Sequence, residues 1–309
     1  MEPQDPSGSA DPADLAVITP SFRPDAELFA DLHASVLRHT GERVVHHVIV
    51  PDVDRELFGR FAGPRCRVWT ASELLPARYV RVPRMNYRVN VRRPWPPVRG
   101  WVMQQALKIA AAAALDTEVV LMADSDVVLV RDVSARTFTV DGKIPLFRMV
   151  DAVHAGMPDH VEWHRIARRL LGLPPFTALP QPDYVSALNV WHPATVRDLQ
   201  ARVARVTGRH WMDAFTAQLQ ISEFILYGVY VDEILAGSGS SWPGDISFCH
   251  NYWETVPLDR AGAMAFADRL DPAAVGMMIS AKSHTPRDVR QVAIERCAEV
   301  AGNGRPVDR

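Results

Sequence analysis

The chain has 309 residues, 48% of them hydrophobic and 23% charged, with a formal net charge of −2. That balance belongs to an ordinary globular protein with room for a large core, and it excludes fibrous, collagen-like and wholly disordered classes. A near-neutral chain also has no global field to draw it to nucleic acid or to an anionic membrane.

Residues 1–14 are polar and rich in Pro, Asp, Ser and Gly. They lack the cationic start and apolar stretch of a secretory signal, so a disordered tail is expected. No later run approaches the roughly 18 to 20 apolar residues of a membrane span. The three cysteines, Cys66, Cys249 and Cys297, are far apart and without metal-ligand spacing, which fits a reducing compartment. A cytoplasmic protein with no membrane span is the expectation.

Leu15 to Ile18 read as a short strand that stops at Thr19-Pro20-Ser21, before an amphipathic helix over about 25–38. Arg43 to Val50 and Cys66 to Trp69 read as two more strands. Strands alternating with helices predict a mainly parallel sheet. The segment from Ala77 to Arg99 carries arginines between Tyr79, Tyr87, Trp95 and several prolines, with no sustained period, and reads as an irregular basic loop. Arginine beside aromatic rings suits phosphates and bases, but its place before the next helix favours a lid over an acidic or diphosphate-bearing ligand, and no nucleic-acid partner is expected.

Gly100 to Leu115 reads as a helix whose Gln104, Gln105 and Lys108 would ordinarily form a solvated face. Next comes Glu118-Val-Val-Leu-Met-Ala-Asp124-Ser-Asp126. Val119 to Met122 fit a strand buried on both sheet faces. Asp124 and Asp126 then fall at its carboxyl end, where open α/β sheets bind ligands. Two carboxylates at that spacing suit Mg²⁺ or Mn²⁺, with phosphate oxygens completing the shell. The plain alternative is an Asp/Ser turn.

Further on, Thr137 to Val140 and Ile144 to Met149 read as strands joined by an Asp141-Gly142 hairpin turn. Residues 154–173 read as a helix, in which His160 and His164 share a face without the glutamate or third ligand of a zinc protease. Tyr184 to Trp191 read as a strand, and Thr195 to Val206 as a helix capped by Thr195. Ser222 is placed to cap a short helix with Glu223 in its first turn. A Gly/Ser loop over 237–241, the run Lys282-Ser283-His284, a last helix from Pro286 to about Ala301 and a frayed end over 303–309 complete the chain.

Taken in order, Val17-Ile-Thr-Pro-Ser-Phe, the Trp101…Gln104-Gln105…Lys108 helix, Asp124-Ser-Asp126, Leu188-Asn189-Val-Trp191 and Ser283-His284-Thr285 resemble the markers of GT-A nucleotide-sugar glycosyltransferases. The likeness is nearest to uncharacterised bacterial proteins of that type with Trp-x-x-Gln-Gln and Ser-Glu-Phe-x-x-Tyr-Gly signatures. It implies a Rossmann-like, mainly parallel sheet flanked by helices, in one domain over 15–302. Residues 15–131 would bind the nucleotide, and 132–302 would form an elaborated acceptor region.

The resemblance also implies roles. Thr19, Pro20, Ser21 and Phe22 would touch the nucleotide, Asp52 its base or ribose, and Gln105, Lys108, Ser125 and Lys282 would lie along the donor. Asp124, Asp126 and His284 would hold Mn²⁺ or Mg²⁺ on the diphosphate of a UDP-, GDP- or dTDP-sugar, with Asp126 also counted as catalytic. Glu223 would be general base to a hydroxyl acceptor, or would orient that acceptor and stabilise charge on the sugar. Asp151, Asn189, Trp191 and Tyr227 are weaker candidates for sugar or acceptor contacts. Two other readings compete. One is a haloacid-dehalogenase-like phosphatase with Asp124 as nucleophile, although that motif opens its domain and here about a hundred residues precede it. The other is a nucleotide-sugar-binding module without catalysis.

Overall fold

The apolar stretch Leu15–Pro20, buried at every position, forms β1 and lies in the middle of the main sheet. The computed structural model describes residues 15–82, 87–236 and 239–303. The expected N-terminal tail, the frayed end beyond 303, Arg84 of the basic segment and Gly237-Ser238 of the Gly/Ser loop lie outside the described residues. After β1 come α1 (Ala26–His39), β2 (Val45–Val50), α2 (Arg55–Gly59), β3 (Cys66–Thr70) and α3 (Ala71–Leu74). Three short strands follow, β4 (Tyr79–Arg81), β5 (Arg88–Asn90) and β6 (Arg93–Val98), then α4 (Gly100–Ala114), β7 (Val119–Ala123) and β8 (Val127–Leu129). The remainder comprises α5 (Ala135–Phe138), β9 (Ile144–Phe147), β10 (Met149–Val153), α6 (Pro158–Leu171), β11 (Gln181–Asp183) and β12 (Leu188–Trp191). Then come α7 (Pro193–Thr207), α8 (Trp211–Thr216), α9 (Glu223–Val229), β13 (Ser241–Gly244), β14 (Cys249–Tyr252), α10 (Arg260–Ala267), β15 (Gly276–Ile279) and α11 (Arg287–Asn303).

The main sheet has five strands in the order β12-β7-β1-β2-β3. β1 pairs in parallel with β2 and β7, and β2 with β3, while β12 runs antiparallel to β7. The protein is thus a mixed α/β fold with a mainly parallel sheet flanked by helices. The chain steps outward from β1 through β2 to β3, then returns to the other side of β1 for β7. That reversal makes a topological switch point between the carboxyl ends of β1 and β7, where open α/β sheets form a crevice.

Both faces of the strands are covered, which explains their uninterrupted apolar sequences. Ile18, Val120 and Met122 pack against Val102, Ala106 and Ile109 of α4 and Leu199 of α7. Their neighbours Leu15, Val17, Val119 and Leu121 pack on the other face with Leu32 and Val36 of α1. Each such aliphatic side chain contributes about 1.5–3 kcal/mol of burial. The alanines of α4, with Ala111 and Ala112 buried, let that helix lie close to the sheet.

Several local expectations are corrected. The segment 77–99 is an antiparallel three-stranded sheet, β4-β5-β6, in its described part. Its strands are too short to display a period, and the prolines of β6 are tolerated because β6 is an edge. Thr137 lies in the short helix α5, where Ser134 and Thr137 form a reciprocal cap, and not in a strand. The Asp141-Gly142 turn is present, with both residues at positive φ and a single bridge from Val140 to Lys143, but no strand pair flanks it. Of Tyr184 to Trp191 only the last four residues are strand. α7 begins at Pro193, with His192 at its N-cap, so Thr195 is buried inside its first turn instead of capping it. Gln105 and Lys108 are buried, because α9 packs over the face that a free helix would show to water.

Candidate functional site

Asp124, Ser125 and Asp126 form the turn between β7 and β8, closed by the Val127 amide donating to the Asp124 carbonyl at 3.1 Å. The register Ile18 to Met122 keeps β1 and β7 level, so this turn stands beside Pro20 and Ser21. Ser125 Oγ lies 3.0 Å from both the Pro20 carbonyl oxygen and Ser21 Oγ, and joins the two sides of the switch point. The Asp124 amide donates to the Ala187 carbonyl at 3.2 Å. Asp126 Oδ2 accepts from the Ala281 amide at 2.8 Å, just beyond β15. The guanidinium of buried Arg290 on α11 donates to the carbonyls of Asp126 and Ile279, tying the turn to the C-terminal region.

Beneath this turn lies Lys108, 6% exposed. Its Nζ is 3.1 Å from Asp124 Oδ1 and 2.9 Å from Glu223 Oε1, and 4.7 Å from the centre of the Phe224 ring. Burial alone would lower its pKa, but the Asp124 and Glu223 carboxylates outweigh that and raise it. Glu223 is 3% exposed, and its amide donates to Gln105 Oε1 at 2.8 Å. Ser222 caps α9 as expected, its Oγ accepting from the Ile225 amide at 3.3 Å. Among the described residues, buried Gln105 Nε2 has no hydrogen-bond partner.

The acids press on one another. Burial, then the neighbouring Asp124 charge, lift the Asp126 carboxyl to about 6. Asp25, just before α1, is raised in the same way by burial and then by Asp124. Asp25 and Arg290 carry no motif, so only the folded chain identifies them as neighbours of the pair. Among the described residues no group of three or more His, Cys, Asp or Glu side chains forms a metal centre. Two carboxylates under mutual repulsion fit a Mg²⁺ or Mn²⁺ that draws its other oxygens from phosphate and water. His284, at positive φ after the turn at 281–283, is exposed and joins no such three-ligand group; Lys282 is exposed as well.

Alongside the crevice is a cavity of about 340 Å³, bordered by Ser21, Phe22, Asp52, Arg88, Trp101 and Met103 among others. Pro20 and Gln104 also line it. Asp52 pairs with the Arg88 guanidinium, and its Oδ1 accepts from the Ser72 amide at 3.2 Å. Burial would raise this carboxyl, yet its bonds to Ser72 and the charge of Arg88 hold it below the ordinary value. Thr19 is turned into the core, where its Oγ1 lies 2.9 Å from His46 Nε2, so the backbone and Ser21 are what the end of β1 presents. The β4-β5-β6 sheet forms one cavity wall through Arg81, Arg88 and Val98. Asp213 of α8 pins that wall, its Oδ1 accepting from Arg78 Nε, Tyr79 OH and Asn90 Nδ2, each at 2.8 Å.

The remaining candidates lie elsewhere. Trp191 and Tyr227 are core residues stacked 4.8 Å apart, and Tyr227 OH accepts from the His192 amide at 3.1 Å. Asn189 is buried, with Nδ2 donating to the Ser186 carbonyl at 2.9 Å. Asp151 is exposed on β10 at positive φ. Of the histidine pair, His160 Nδ1 lies 3.2 Å from Asp183 Oδ2, and His164 Nε2 lies 2.8 Å from the Pro182 carbonyl.

Among the described residues no helix is long and apolar enough to cross a membrane. No curated protein matches the chain. Among solved structures, the chain is similar to a crystal structure of an active-site mutant of LgtC, at 14% identity and a TM-score of 0.45, over 93% of this chain and 95% of that one. Residues 18–238 match a family of unknown function, DUF6492, a span that holds Lys108, Asp124, Asp126 and Glu223 and ends before His284. The chain belongs to that family, DUF6492.

Proposed function

We propose that the chain is a metal-dependent glycosyltransferase that moves a sugar from a nucleoside diphosphate donor to a hydroxyl acceptor. The supporting observation is the pair Asp124 and Asp126 at the switch-point crevice, beside a cavity of about 340 Å³ with largely apolar walls. A cavity of that size and lining suits a nucleobase and ribose. Phe22 and Trp101 offer ring faces, and the Asp52–Arg88 pair offers polar edges. UDP, GDP and dTDP all have a base that such a cavity accommodates.

Asp124 and Asp126 would hold the Mn²⁺ or Mg²⁺ and so orient the diphosphate. When bound, the cation supplies Lewis-acid stabilisation of negative charge on the departing nucleoside diphosphate. Lys108 keeps one oxygen of Asp124 fixed and adds positive charge close to that leaving group. Glu223, buried behind Lys108, acts through it, and we assign it as a positioning residue instead of the acceptor's base. Ser125 sets the distance between the two strand ends.

The test is a donor screen with UDP-, GDP- and dTDP-sugars in the presence of Mn²⁺ or Mg²⁺, following nucleoside diphosphate release and thermal stabilisation. Asp124→Asn and Asp126→Asn should abolish both signals. Turnover that survives both substitutions, or no nucleotide binding at all, refutes the reading. Binding without turnover on any acceptor would instead mark a binding module. Phosphoester hydrolysis with a trapped acyl phosphate on Asp124 would mark the phosphatase chemistry.

A further inference from the structure

Between Glu73 and Asp116 the sequence has no acidic residue, yet it holds seven arginines and Lys108. The rest of a chain whose net charge is −2 is therefore acidic, and the positive charge is concentrated in and around the β4-β5-β6 sheet. The fold neutralises part of it from elsewhere in the sequence, with Asp213 on Arg78, Asp52 on Arg88, and Asp124 and Glu223 on Lys108. Arg92, Arg93 and Arg99 are exposed and have no carboxylate partner among the described residues. Between Arg93 and Arg99 stands Trp95, 79% exposed, its indole open to water. A ring of that size left uncovered forgoes a large burial term, and Trp together with Arg is the residue combination enriched at recognition surfaces.

The edge itself narrows what can lie there. Among the described residues β6 pairs only with β5, which leaves its other side open. Pro94, Pro96 and Pro97 remove most of the backbone donors that an added peptide strand would need, so strand addition is blocked. Recognition must come from side chains, namely guanidinium forks and a flat ring. Guanidinium forks match carboxylates in bidentate geometry, and an indole face packs on the C–H face of a sugar ring. A long polyanion such as nucleic acid would need a longer cationic track than these few guanidiniums offer. A short acidic saccharide would not.

We propose that Arg92, Arg93, Trp95 and Arg99 form a binding surface for a carboxylate-bearing oligosaccharide, next to the cavity that the same small sheet walls. Its role as the acceptor rests on the transfer reading given above; the surface itself does not. The test uses the full chain and measures binding of a short oligogalacturonate, a neutral malto-oligosaccharide of equal length, an oligothymidylate and a glutamate-rich peptide. The galacturonate should bind best, and its affinity should fall as salt rises. Arg92→Ala with Arg93→Ala, or Trp95→Ala alone, should weaken it by about tenfold while nucleoside diphosphate binding stays unchanged. Equal binding of the neutral saccharide, tighter binding of the oligothymidylate or the peptide, or indifference to these substitutions overturns the proposal. A chain that binds galacturonate through these residues but binds no nucleoside diphosphate supports the surface and overturns the donor reading alone.

Discussion

Lys108 Nζ and Glu223 Oε1, separated by 115 positions in sequence, lie 2.9 Å apart beneath the Asp124 turn. Both are buried, so the pair is kept by its geometry and by the second bond from Lys108 to Asp124. Removing one partner of a buried ion pair leaves an uncompensated charge, at a cost of about 3–5 kcal/mol. Lys108→Met should therefore lower the thermal midpoint sharply, and Glu223→Gln added to it should recover most of the loss. Donor turnover should not return in the double variant. A Lys108→Met protein that melts like the wild type would show that the buried pair is not coupled.

Asp126 carries a pH signature. Its folded carboxyl titrates at about 6, above the ordinary value near 3.9. The folded state thus holds a proton that the unfolded chain releases, so stability falls as pH rises through roughly 4 to 6. In metal-free protein, Asp126→Asn should add about 1–2 kcal/mol at pH 7.5 and almost nothing at pH 4. Urea melts at the two pH values test this; equal effects at both would refute it.

Asp213 holds three donors from the cavity wall on one oxygen. Asp213→Ala strands them, and about 2–4 kcal/mol of stability should be lost. The loss should be local as well as global. Amide exchange should quicken in β4, β5 and β6 before it does in β1 or β7, and nucleotide affinity should drop with it. Uniform exchange across all these strands would contradict the anchoring role.

His33, His46 and His47 sit on or against β2, and burial lowers all three pKa values, His47 to about 4. The indole of Trp69 donates to His47 Nδ1 at 2.9 Å, which requires that nitrogen to be unprotonated. The unfolded chain takes up protons near pH 6.5 and the folded chain does not. Their contribution is whole above that value and is lost as pH falls toward 4, at up to about 1.4 kcal/mol per pH unit for each histidine. Chemical denaturation at pH 7.5, 6 and 5 should follow this slope, and His47→Asn should flatten it.

Gly228 in α9 faces the Tyr184 ring, and a Cβ there would come within 2.2 Å of Tyr184 Cγ. Tyr184 is itself held by Asp232, which accepts from its hydroxyl at 2.9 Å, so it has little freedom to retreat. Gly228→Ala should cost about 3 kcal/mol. Gly59→Ala, with no atom of the described residues within 4 Å of the added Cβ, should be neutral or mildly stabilising. Calorimetry on the pair gives the comparison, and similar midpoints would remove the steric argument.

Elements whose signal is local can be read from the residues alone. β1 and β7 announce themselves as apolar runs because both of their faces are covered, and the Asp124-Ser-Asp126 turn is visible because acids interrupt such a run. Ser222 at the head of α9 was legible because a cap acts over only three residues. Tertiary structure alone decided what those elements meet. Gln105 and Lys108 read as a wet helix face until α9 covers them, since burial depends on a neighbour more than a hundred residues away. The proline-rich basic stretch becomes a sheet only because Asp213 and the helices behind it hold three strands too short to persist alone. Trp191 and Tyr227, whose aromatic character suits sugar binding equally well, are assigned to the core by packing. Residue type states which chemistry is available; the crossing of the chain at β1 and β7 determines which of those residues share a site.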